Sequence, residues 1–158
     1  MPKYSIMLAN QTTSTATKSV LGAYMLTDNT RQIEVVEVIA TGSGSVAAAD
    51  IQTRCDLAGV TFAATGVSTS ITPIPFNPSA AAALGNYGTN YTTEPTALSA
   101  VHPVTFGFNQ RGGMRWAVPQ GEGFKANNAG ATEKGCVVTT IASAAGNADT
   151  TMHFWQGN

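Results

Sequence analysis

What most constrains this chain is its punctuation. Short runs of β-branched and apolar residues recur along its 158 residues. Each is closed by a cluster of Gly, Pro, Asn or Asp, and no long stretch holds a helical period. Residues 18–27 (KSVLGAYMLT) and 32–40 (QIEVVEVIA) read as strands on either side of a turn at Thr27-Asp28-Asn29-Thr30. The second run carries Ile33, Val35, Val36, Val38 and Ile39, all β-branched, and Gly42-Ser43-Gly44-Ser45 closes it. Residues 51–57 alternate loosely, and residues 60–74 are rich in Thr, Ser, Val and Ile.

Further on, Val104, Phe106 and Phe108 alternate with Thr105, Gly107 and Asn109, a period of two. Met114, Trp116 and Val118 do the same against Arg115, Ala117 and Pro119. Together these runs predict a hairpin with residues 110–113 at its tip. Residues 135–142 and 150–155 supply the last two strands. About eight strands at this spacing, with no βαβ alternation, predict an all-β, single-domain, antiparallel β-sandwich over residues 17–158. One short helix is expected near residues 78–84, with Asn77 as its N-cap, Pro78 in its first turn and Gly85 at its end. Residues 1–16 lack strong periodicity and are rich in Thr and Ser, which predicts an N-terminal segment or arm. The expected core is Val104, Phe106, Phe108, Met114, Trp116, Val118, Val137, Ile141, Met152 and Phe154, with His153 and Trp155 on the opposite face of the last strand.

Charge limits function more than fold. Charged residues make up 11% of the chain, and eight Lys and Arg nearly cancel nine Asp and Glu to leave a net charge of −1. A typical soluble protein carries roughly 25%. Nucleic acid is therefore not an expected partner, because counterion release needs many cations. A coiled coil would need Glu, Lys and Leu in heptads. No run approaches the ~20 apolar residues that span a bilayer, so no membrane partner is expected. The apolar stretch at residues 6–9 is too short for a signal peptide, which predicts a soluble chain made in the cytoplasm and carried out only by assembly or lysis.

Catalytic and metal-binding material is sparse. There are two His and two Cys, none at metal-ligand spacing, so neither a metal nor a cofactor is expected. Cys55 and Cys136 read best as small buried thiols, with a disulfide open if they face each other across a sandwich. No GxSxG elbow occurs, and His102 precedes Pro103, which imposes extended backbone. Glu34 and Glu37 are expected on opposite faces of one strand, a poor arrangement for paired-carboxylate chemistry. The chain does not read as an enzyme, and a small hydrolase using His102 or His153 ranks last among the functions weighed.

The most distinctive segment is Asn109-Gln110-Arg111-Gly112-Gly113-Met114-Arg115-Trp116-Ala117-Val118-Pro119-Gln120-Gly121, which gathers two of the four Arg and one of the two Trp. Arg and Trp are enriched in interface hot spots, making Arg111, Arg115 and Trp116 the candidate interface residues. The alternative is that Trp116 fills the core while Arg115 points to solvent.

The Asn109-Gln110-Arg111 turn, with Arg115-Trp116-Ala117-Val118-Pro119 and Gly121, resembles a motif of small tailed-bacteriophage capsid decoration, or cement, proteins. Thr72-Pro73-Ile74-Pro75 followed by Asn77-Pro78-Ser79-Ala80-Ala81-Ala82 fits the same pattern, as does Asn90-Tyr91-Thr92-Thr93-Glu94-Pro95. The likeness spans residues 17–156 and departs from the pattern at Gly112-Gly113 and Ala144-Ala145-Gly146. It implies a jelly-roll-like sandwich that assembles as a homotrimer on the outer surface of a virion, with the major capsid protein as partner. A carbohydrate- or receptor-binding module is the alternative, with Tyr87, Tyr91, Trp116 and Trp155 as stacking residues.

Overall fold

The last strand shows how the sequence builds this fold. From Asn147 to Gln156 every second residue is buried: Ala148, Thr150, Met152, Phe154 and Gln156 face inward, while His153 and Trp155 face out. That period of two requires a layer packed on one side only. The computed structural model describes residues 1–24, 32–43, 50–61, 68–97, 102–127 and 134–157. The expected turn at residues 27–30 lies outside them.

The described strands are β1 (Lys3–Thr12), β2 (Lys18–Tyr24), β3 (Gln32–Gly42), β4 (Gln52–Thr61), β5 (Thr69–Ser70), β6 (Ile74–Pro75), β7 (Asn86–Thr89), β8 (Thr96–Ala97), β9 (Val104–Asn109), β10 (Gly113–Ala117), β11 (Phe124–Asn127), β12 (Lys134–Ala142) and β13 (Asn147–Gln156). They form two antiparallel sheets. The first has the order β10-β3-β13-β1-β6, with β11 continuing along β3 after β10. The second has the order β5-β7-β2-β12-β4-β8, with β9 also on β4. The long strands therefore read β1-β13-β3-β10/β11 in one layer and β2-β12-β4-β9 in the other. Successive strands β1 to β4 and β11 to β13 alternate between layers, which is the jelly-roll arrangement.

Between the layers lies an aromatic stack. Phe154 on β13 sits between Tyr4 on β1, with centroids 5.7 Å apart, and Tyr87 on β7, with centroids 5.2 Å apart, both nearly parallel. Val20, Leu21, Val35, Val38, Leu57, Val138 and Met152 complete the core around it.

Four expectations change. Residues 1–16 are not an arm, because Lys3–Thr12 is β1, paired with β13 along most of its length. Tyr4 and Ile6 are each 1% exposed and anchor it, with about 1.5–3 kcal/mol available from burying each large apolar side chain. The Thr- and Ser-rich composition after residue 10 masks this short alternation.

The helix near residues 78–84 does not form. Asn77 begins a turn as a cap would, its Oδ1 accepting the Ser79 N–H at 3.0 Å and its carbonyl the Ala80 N–H at 2.9 Å. Beyond it the backbone groups are claimed by buried side chains. Tyr4 donates its hydroxyl to the Ala81 carbonyl, while Gln156 accepts the Leu84 N–H and donates to its carbonyl. So short a helix gains too little to compete with these contacts.

Residues 104–117 are not a hairpin. β9 pairs with β4 in the second sheet and β10 with β3 in the first, so the turn between them is a corner that crosses the sandwich. Finally, Met114 is 41% exposed, because β10 is an edge strand. Phe108, Val137, Met152 and Phe154 are buried as expected. Val104, Phe106 and Trp116 pack partly buried against the core, and Val118 and Ile141 are half-buried.

Cys55 and Cys136 are free and buried. Both lie in the second sheet, where Cys55 faces Thr140 and Cys136 faces Gly59 on the paired strands. Four residues of strand separate them, about 13 Å, too far for a disulfide. Burial raises both thiols, Cys136 to about 12 and Cys55 further, helped there by the neighbouring Asp56 carboxylate. A thiol reagent at pH 8 should leave both cysteines unlabelled in the native protein and label both in denaturant. Rapid native labelling of either would contradict the packing described.

Candidate functional site

The outer face of the first sheet holds a cluster that the sequence does not announce. β3 contributes two carboxylates to it. The β3–β13 register slips between His153 and Phe154, so that Glu37 lies opposite His153 and Val35 opposite Phe154, leaving Val36 as the extra residue of a bulge. Glu34 lies opposite Trp155. Because His153 and Trp155 share one face, Glu34 and Glu37 share it too, and the expected opposition of the two carboxylates is corrected.

Each carboxylate is covered and satisfied. Glu34 is 5% exposed, and its Oε1 accepts the N–H groups of Gly121 at 2.6 Å and Gly123 at 2.9 Å. The turn between β10 and β11 must lie close to β3 to do this. A Cβ on Gly123 would come 2.4 Å from the Val35 carbonyl oxygen, and Gly121 holds a φ of +99°. Glycine at both places is what lets the loop reach the carboxylate.

Glu37 gathers residues from three other strands. Its Oε2 lies 2.7 Å from His153 Nδ1 on β13 and 3.7 Å from Lys3 Nζ on β1, while Oε1 is bonded to Arg115 Nε on β10. Phe76, just after β6, meets the His153 ring edge-on at 4.9 Å, and Lys3 Nζ sits 4.7 Å above the Phe76 ring. Burial pushes the Glu37 carboxyl up. Hydrogen bonds and charge from His153 and Arg115 outweigh it and hold the group below its ordinary value.

Exposed apolar side chains flank this cluster. Ser5 lies opposite Ile74, and Met7 follows two residues along the same face of β1. Ile74 is 70% exposed, Met7 55% and Phe76 55%. Among the described residues, the charges on this face are largely turned toward one another.

The three candidate interface residues are not brought into one patch. Arg115 is in the cluster. Trp116, opposite Val38, turns inward and packs against the core. Arg111 stands at the corner turn, where Asn109 Oδ1 accepts its N–H at 2.8 Å and its Nε lies 3.5 Å from Asp50 Oδ1. Of the aromatic residues weighed for stacking, Tyr87 and Tyr91 are buried and Trp155 is half-exposed. Sequence reasoning missed Lys3 and Phe76 and weighed Glu37 and His153 only separately, because the four meet only through sheet pairing and a bulge. No group of three or more His, Cys, Asp or Glu fit to hold a metal occurs among the described residues.

Comparison with known proteins finds no matching family model, no matching curated protein and no matching solved structure.

Because the folded Glu37 carboxyl lies below its ordinary value of 4.5, its contribution to stability is fully present above that pH. The contribution is lost as pH falls through the folded value. Glu37→Gln should therefore lower stability by about 1–2 kcal/mol at pH 7, a figure reduced by the exposure of Arg115. The gap between variant and wild type should close below pH 4.5 in urea titrations. A gap independent of pH would contradict the ion-pair account.

Proposed function

We propose that this chain is a structural virion protein that decorates or cements a bacteriophage capsid, bound as a homotrimer to the major capsid protein on the outer surface of the shell, after synthesis in the host cytoplasm. The observation that carries the proposal is the outer face of the first sheet. It combines exposed Ile74, Met7 and Phe76 with a Glu37 carboxylate already paired to Arg115 and His153. Interface cores are depleted in unpaired charge, and contiguous exposed apolar surface marks a contact site. Jelly rolls serve both viral shells and lectins, so the fold is compatible with this role and does not decide it.

The role needs no active site. It needs a rigid sandwich, a face that loses little on desolvation, and many weak contacts summed over many copies. The low charge of the chain suits all three. The likeness of the segments around Asn77, Asn90 and Arg111 to capsid decoration proteins supports the same reading.

The test is binding to shells stripped of this protein, together with light scattering of the free chain. The wild type should sediment with the shells and scatter as a trimer. Ile74→Asp places an uncompensated charge on the face and should weaken binding by about tenfold or more while leaving the circular dichroism unchanged. A strict monomer that leaves stripped shells bare would overturn the proposal.

A further inference from the structure

We propose that a cavity on the outer side of the second sheet is a binding site for a small neutral polyol of monosaccharide size. The inference is independent of the shell-binding role and concerns the opposite face of the molecule.

The cavity measures about 250 Å³ and lies where Glu94, Pro95 and His102 stand over the sheet. Its floor is the outward surface of three strands. Val137 on β12 lies opposite Ala58 on β4, and Thr139 lies opposite Ser19 on β2, with Val60 two residues beyond Ala58.

Two buried polar atoms among these lining residues have no hydrogen-bond partner among the described residues: the Oγ1 of Thr139 and the Nδ1 of His102. Thr139 is only 6% exposed. A buried polar atom left unpaired is costly. Thr140 and Thr150 also hold unpartnered hydroxyls, but they lie at inward positions between the sheets, opposite Cys55 and Ala40. Thr139 and His102 instead share the lining of one cavity, so one ligand with several hydroxyls can satisfy both.

The same walls fix the ligand's class. A threonine hydroxyl donates and accepts, and a ring nitrogen does one or the other according to tautomer, a pair suited to alcohol groups. Ala58, Val60, Val137 and Pro95 offer an apolar bed for the C–H face of a sugar ring. The one charged group in the described lining is already engaged. Glu94 Oε2 accepts the Ser19 N–H at 2.8 Å, and Oε1 lies 3.8 Å from Lys18 Nζ. No described lining cation is left to attract an anion, and the acid is partly neutralised, so the fitting ligand is neutral.

The test is a titration of the full chain, followed by amide chemical shifts, with glucose, galactose, mannose, N-acetylglucosamine and myo-inositol. At least one should shift the amides of Ser19, Glu94 and Thr139 in a saturable manner. Thr139→Val keeps the shape and removes the hydroxyl. It should weaken that binding by about tenfold. His102→Phe serves as a second variant and should weaken it also. If the whole panel leaves these amides unmoved, or Thr139→Val binds the responding sugar as well as wild type does, the proposal is overturned.

Discussion

The structure hangs on the alternation of β13. Its inner residues place Phe154 between Tyr4 and Tyr87, and this stack joins the first sheet to the second. Gln156, two residues on, ties Leu84 and Tyr87 to the same strand. The chain between β6 and β7 is kept out of a helix because its polar groups answer to these side chains. A helix there would leave buried Tyr4 and Gln156 without those partners, which is the more costly alternative.

The outer residues of the same strand organise the contact face. His153 receives Glu37 only because the β3 bulge turns that carboxylate outward. Glu37 then draws in Arg115 and Lys3, and Phe76 closes over His153. One strand thus sets both the core and the outer cluster. With its charges turned inward on one another, the face resists burial less than a surface of free Lys and Glu would.

The sandwich was legible because period-two runs such as Val104–Asn109 and the end of β13 are local signals. The inward turn of Trp116 beside an outward Arg115 was one of two readings that the alternation left open. What could not be read depends on pairing between distant residues. Whether residues 104–117 form a hairpin or a corner depends on which partner each strand chooses, and both sequences alternate equally well. The side that Glu37 faces depends on one inserted residue, Val36, whose β-branched side chain looks like any other in the run. The predicted helix failed for a similar reason, since Asn77-Pro78 and the following alanines carry a helical start while the competing partners lie on β1 and β13.

The central claim is that the outer face of the first sheet is the surface this protein presents to its neighbours. Hydroxyl-radical footprinting of free and shell-bound protein tests it most directly, read at Met7 and Phe76, both 55% exposed in the chain alone. The account predicts that both oxidise readily in the free protein and are strongly protected on the shell. Equal oxidation of Met7 and Phe76 in the two states would contradict it.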